Sequence, residues 1–193
     1  MGVLNVTPDS FSDGGVHFDP AVAAVAARHM LDAGAAIVDI GGESTRPGSG
    51  GVTLVEELRR VEPVLAALEG SPVSIDTSKA GVARVALRYG AEMVNDITAL
   101  RHDPQLAEVV AESDAYLCLM HMQGEPRTMQ VAPSYTDVVS EVKAFLEERL
   151  AFAIDAGIPA ERICLDPGIG FGKTVDHCIE LLQRLDEIGR AHV

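Results

Sequence analysis

Tryptophan is absent from this sequence, aromatic residues make up only 4%, and 15 lysines and arginines face 29 aspartates and glutamates. The resulting formal charge of −14 excludes the basic footprint of a nucleic-acid binder. It also means that an anionic substrate needs a local cation or a metal ion to overcome the overall field. Cysteine is scarce: Cys118, Cys164 and Cys178 are odd in number and form no Cys-x-x-Cys spacing. That excludes a disulfide framework and reads as reduced core thiols. The histidines fall in no metal-binding spacing of the His-Glu-x-x-His kind. No apolar run reaches the ~18 residues of a membrane span. The N-terminus lacks the basic region and apolar stretch of a signal peptide, and Val6 stands where N-myristoylation needs Ser or Thr. A soluble, cytoplasmic protein is expected.

What is present is an ordered recurrence. The 193 residues are enough for one domain with a real core. Val3, Leu4 and Val6 read as a short buried strand that ends at Thr7-Pro8, since proline cannot donate to a ladder. A polar loop follows to Gly14-Gly15, and Asp19-Pro20 marks a helix start. The same succession of strand, loop and helix recurs five more times. Strands are expected at Ala36 to Ile40, Val73 to Asp76, Glu92 to Asn95, Tyr116 to Met120 and Arg162 to Leu165. Thr53 and Glu56 predict a capping box, and Pro63 a kink in the helix behind it.

Short apolar strands alternating with helices imply a parallel sheet. Two architectures fit, an open doubly wound sheet or a (β/α)8 barrel of which six units are present. The strand ends favour the barrel: Asn5, Glu43 to Arg46, Asp76, Asn95-Asp96, His121 and Asp166 are nearly all hydrogen-bonding residues without positive charge. In a barrel every strand end reaches one mouth, whereas an open sheet concentrates its site at one switch point.

Buried carboxylates at Asp76 and Asp166 need a cation or a ligand rich in N–H donors. With an amide, they can read the edge of a 2-amino-pyrimidinone ring. Arg46, on a loop dense in Gly and Ser, suits an anionic oxygen. His121 alone reads better as a satisfied core histidine than as a site residue, and Asp39, before the end of its strand, as structural. The run PGIGFGKT, Pro167 to Thr174, ends like a phosphate-binding loop, but Pro167 stands where that motif requires Gly, so it is set aside.

The segments NVTPDSFSDGG (5–15), GGESTRPG (41–48), DTSK (76–79), ND (95–96), LMHMQGEP (119–126) and DPGIGFGKT (166–174) together resemble dihydropteroate synthase. The resemblance covers nearly the whole chain. It implies a pterin-binding barrel domain over residues 1–193, lacking its last two βα units. The implied reaction, in folate synthesis, joins p-aminobenzoate to 6-hydroxymethyl-7,8-dihydropterin pyrophosphate. It further implies that Asp76, Asn95 and Asp166 hold the pterin edge, with Met120 and Phe171 as apolar walls. Phe11, Thr45 and Pro47 would form the p-aminobenzoate site, ordered by Asp13, while Arg46 would hold the pyrophosphate and Asn5 a Mg2+ ion. The catalytic work would rest on Arg46, Asp76 and Asp13. Sulfonamides would act as p-aminobenzoate mimics.

The motifs that follow the seventh and eighth strands in that family have no counterpart here. The expectation is therefore an inactive, poorly soluble segment of a longer, homodimeric enzyme, with dimerisation by the segment itself in doubt. Two alternatives stay open at this point: another pterin-barrel protein such as a corrinoid methyltransferase domain, and a non-catalytic pterin-binding fragment.

Overall fold

The fold is that of a computed structural model describing residues 1–7, 19–44 and 51–189. Six strands, β1 (Gly2–Asn5), β2 (Val38–Gly41), β3 (Val73–Asp76), β4 (Met93–Asp96), β5 (Tyr116–Met120) and β6 (Ile163–Asp166), form one sheet. Each strand pairs in parallel with the next in sequence, so the spatial order is β1-β2-β3-β4-β5-β6 with no reversal. A doubly wound sheet would reverse at a switch point. This sequential order is that of a barrel wall, left open between β1 and β6.

The helices are α1 (Pro20–Asp32), α2 (Leu54–Ala67), α3 (Ala80–Arg88), α4 (Gln105–Ala111), α5 (Val138–Asp155), α6 (Val175–Gln183) and α7 (Leu185–Gly189). Helix α1 begins where the sequence indicates, with Asp19 accepting from Ala21 N and Pro20 at the first helical position. At α2 the box is half made. Thr53 Oγ1 accepts from Glu56 N, but the Glu56 carboxylate is taken up by Arg59 and Arg60. The helix continues through Pro63.

Alternate strand residues have separate fates, as the two-residue period of a strand requires. Leu4, Val38, Ile40, Val73, Ile75, Val94, Leu117 and Leu119 join one buried cluster with apolar residues of α1 to α4, such as Ala27, Val61, Val82 and Val110. A second cluster seats α5 against Leu181 and Ile188. The intervening strand residues, Val3, Asn5, Asp39, Ser74, Asp76, Asn95, Cys118, Met120, Cys164 and Asp166, face the other way. Val3 is thus 59% exposed, a correction to its reading as a core residue, because its neighbour Leu4 takes the helix-facing position. Cys164 is exposed for the same reason, although all three cysteines are free as expected. Among the described residues no helix is long and apolar enough to cross a membrane.

Candidate active site

Asn5, Gly41, Asp76 and Asn95 are successive register partners across β1 to β4, and Met120 pairs with Asp166 across β5 and β6. Register partners in a parallel sheet point to the same side, so the polar strand ends share one face. Gly41 keeps the row open: a β-carbon there would stand 3.2 Å from Asp76 Oδ2 and 3.6 Å from Asn5 Oδ1.

The face is strongly acidic. Burial pushes the Asp76 carboxyl well above the usual carboxylate range, and the charges of Asp39, Glu57, Asp96 and Glu43 push it further. Burial likewise raises Asp39, against which the neighbouring Ser74 hydroxyl and then the Asn95 amide pull. Asn95 Nδ2 donates to Asp39 Oδ2 at 2.9 Å. Asp96 points away from this face. Its carboxylate accepts from Thr98 N, Thr98 Oγ1 and Leu100 N, forming the turn after β4.

That turn is strained. Ala99 and Leu100 hold φ values of +52° and +62°, a region costly for residues with a β-carbon. Arg149 of α5 secures it by donating to the carbonyl oxygens of Ala99, at 2.8 Å, and Leu100. The result carries Ile97, Thr98 and Arg101 into a cleft of ≈ 400 Å³ over the ends of β2 to β5. Glu57, Asp76, Thr77 and Met122 also line it, as do Arg127 and His102. Arg101 and Arg127 were missed in the sequence because they lie beyond the strand ends, on loops whose path no motif discloses.

Beneath the cleft, Glu57 of α2 is fully buried and receives Thr77 Oγ1 at 2.6 Å and Lys79 Nζ at 2.5 Å. Lys79 also pairs with Glu43, on the loop after β2. Burial works against the Lys79 charge, but the two glutamates outweigh it and raise its pKa.

The loop after β6 folds onto the loop after β5. Lys173, 3% exposed, donates to the carbonyls of Gly168 and Phe171 at 2.9 Å and meets His121 Nδ1 at 2.9 Å. This is the lysine of the GKT run, turned inward onto its own loop rather than outward to a phosphate. Its pKa falls to about 8 through burial, and His121 falls to about 3 through burial and the adjacent lysine. His121 is thus a core residue, packed edge-on to Phe145 at 4.9 Å. The turn demands glycine at 168: φ is +66° and a β-carbon would lie 1.9 Å from the His121 carbonyl oxygen. Asp166 Oδ1 accepts from Gly168 N at 2.7 Å, leaving its other oxygen for a ligand. Met120 and Phe171 meet in a small apolar group with Met122, Met129 and Ile97.

Of the expected site residues, the structure thus brings Asn5, Asp76 and Asn95 into one row. It joins Met120 with Phe171, and places Asp166 beside Met120. Of these, Asp76 lines the cleft, whereas Asn5, Asn95, Met120, Asp166 and Phe171 do not. Phe11, Asp13, Thr45, Arg46 and Pro47 lie outside the described residues. Among the described residues no group of three or more His, Cys, Asp or Glu is placed to hold a metal.

A family model described as pterin binding enzyme matches residues 1–192. The dihydropteroate synthase of Escherichia coli strain K12 is 50% identical over 190 residues, spanning 97% of this chain and 67% of that protein. The Yersinia pestis dihydropteroate synthase, solved with a sulfonamide drug, superposes with a TM-score of 0.91 at 45% identity, over 100% of this chain and 70% of that one. The Burkholderia cenocepacia enzyme, complexed with 7,8-dihydropteroate, gives 0.84 at 46% identity, over 97% and 64%. The chain therefore spans about two thirds of the length of the relatives it matches.

Proposed function

The chain belongs to the pterin binding enzymes, among the dihydropteroate synthases, and from that membership we propose how its residues serve the reaction. The enzyme is a transferase that condenses 6-hydroxymethyl-7,8-dihydropterin pyrophosphate with p-aminobenzoate, giving 7,8-dihydropteroate and pyrophosphate. The observation that carries the assignment of roles is the inward row holding Asp76 and Asn95, with Asp166 one layer further along the strands, an acceptor-rich floor at the strand ends. A pterin offers that floor the ring and exocyclic N–H donors that buried carboxylates require. Donors approaching Asp76 would favour its ionised form, which its acidic neighbours otherwise oppose.

Met120 and Phe171 would flank the flat ring. Arg46 would bind the pyrophosphate, and Phe11, Thr45 and Pro47 would seat p-aminobenzoate, with Asp13 ordering that loop. The pterin's exocyclic C–O bond breaks with its electron pair leaving on pyrophosphate, and the arylamine nitrogen then bonds to the cationic carbon and loses a proton. Catalysis of this kind rests on positioning and on electrostatic stabilisation of the separating charges. A Mg2+ ion fits the donor set: Asn5 offers a neutral oxygen beside the gap at Gly41, and that ion takes few protein ligands and relies on substrate phosphates. When bound, it would neutralise charge on the leaving group. Sulfonamides would compete for the p-aminobenzoate position.

The test is a coupled assay for pyrophosphate release with both substrates, together with calorimetric titration of 6-hydroxymethyl-7,8-dihydropterin. Asp76→Asn and Asp166→Asn are each expected to weaken pterin binding at least tenfold. Full affinity in both variants would overturn the assignment of the floor.

A further inference from the structure

Asp39 and Ser74 are register partners on β2 and β3, one layer below Gly41 and Asp76. Asp39 is 5% exposed and Ser74 fully buried. Asp39 Oδ1 and Ser74 Oγ are also the buried side-chain polar atoms without a hydrogen-bond partner among the described residues. The other Asp39 oxygen accepts from Asn95 Nδ2, and no other bond to the Asn95 side chain occurs among the described residues.

An amide has one donor end and one acceptor end of nearly equal size, so its orientation follows its partners. An ionised carboxylate only accepts, and it therefore draws the NH2 end of Asn95 toward itself. The oxygen end is then left for a ligand. We infer that Asp39 is a positioning residue that acts through Asn95, turning the amide so that the floor at Asp76, Asn95 and Asp166 presents acceptors alone. The inference rests on the pterin reading above. It adds a specificity: such a floor discriminates between oxidation states of the ring. A 7,8-dihydropterin carries N8–H, a donor, where the fully oxidised pterin carries a bare acceptor nitrogen. Where N8 meets these three acceptors, the oxidised ring's bare nitrogen is left unpaired, and an unpaired buried polar group is what drives discrimination.

In the full chain, binding of 6-hydroxymethyl-7,8-dihydropterin and of fully oxidised 6-hydroxymethylpterin is measured by calorimetry for three proteins. The wild type is expected to favour the dihydro ring about tenfold or more. Asp39→Asn keeps the shape but no longer dictates the amide's direction, and the preference should fall by about tenfold. The exchange Asp39→Asn/Asn95→Asp restores an acceptor-only group above an amide, and should bring the preference back to within about threefold of wild type. A general loss of packing would weaken both ligands alike and leave the ratio where it was. An unchanged ratio in Asp39→Asn overturns the inference, as does an exchange variant that folds and binds without preference. Should Asp39→Asn not fold, the exchange variant alone decides. Absence of binding of either pterin to the wild type overturns the pterin reading and this inference with it.

Discussion

Replacing Lys79 with methionine removes the only cation that touches the fully buried Glu57 among the described residues, and the consequence can be worked through. Lys79 Nζ lies 2.5 Å from Glu57 Oε2 and also pairs with Glu43, while Thr77 Oγ1 alone remains on Glu57 Oε1. Removing one partner of a buried ion pair strands the other charge, at a cost of about 3–5 kcal/mol. The stranded carboxylate has one escape, which is to take up a proton. For an ordinary glutamate at pH 7 that costs about 3.7 kcal/mol, and the cost shrinks by about 1.4 kcal/mol for each pH unit of acidification. The destabilisation at pH 7 is therefore about 3–4 kcal/mol, falling to about 1 kcal/mol at pH 5. With a urea m-value of about 2 kcal/mol/M, the midpoint should drop by about 1.5–2 M at pH 7. Lys79→Met/Glu57→Gln should regain most of the loss at pH 7, because the charge is gone and only an amide must be satisfied. Urea unfolding of the wild type, both single variants and the double variant at both pH values closes the cycle. A midpoint shift under about 0.5 M at pH 7, or a penalty that does not shrink at pH 5, would refute the reasoning.

Two further outcomes follow from other buried groups. His121 stays neutral in the fold to about pH 3, whereas in the unfolded chain it protonates near its ordinary 6.5. Between these values the unfolded state binds the extra proton, so stability falls as pH falls through that window. The pH dependence of urea unfolding between pH 6 and 4 should accordingly show about one proton more for wild type than for His121→Gln, and equal slopes would contradict the burial argument. Leu100→Gly should relieve the left-handed strain at φ +62° by about 1 kcal/mol while forfeiting part of a buried side chain. Thermal unfolding should therefore show Leu100→Gly losing distinctly less than Leu106→Gly, where the same buried side chain is lost from a helix that glycine disfavours. Equal losses would count against stored strain.

Much of the architecture could be read locally because local chemistry sets it. Tyr116 to Met120 is a run of apolar residues bounded by polar turns, and β5 spans those residues. Asp19 and Pro20 start α1 for reasons confined to four residues. The choice of a barrel over a doubly wound sheet came from the polar strand ends, and the sequential strand order bears it out. What stayed hidden depends on long-range partners. Glu57 looks like one more surface acid of an amphipathic helix until Lys79, 22 residues away, is folded against it. Arg149 holds a turn 50 residues earlier, and no periodicity announces that link. Asp39 was taken as structural because it precedes the end of its strand, but the pleat puts it beneath Asn95 and so under the site.

The alternation along each strand divides the labour of the sheet. Helix-facing residues such as Ile40, Ile75 and Leu117 are fully buried in a continuous apolar cluster, and stability comes chiefly from there. The residues between them, Asp39, Ser74, Asp76 and Asn95, contribute little to it and oppose it in part. Asp76 is crowded by four other acids, while Asp39 Oδ1 and Ser74 Oγ meet no hydrogen-bond partner within reach among the described residues. Such a face is energetically incomplete on its own, as groups arranged for a ligand generally are. A ligand bringing several N–H donors would supply what the chain omits, and the face would disfavour one that sets an acceptor directly against its carboxylates. The acidity that makes the inner surface costly to fold is, on this account, the source of its selectivity.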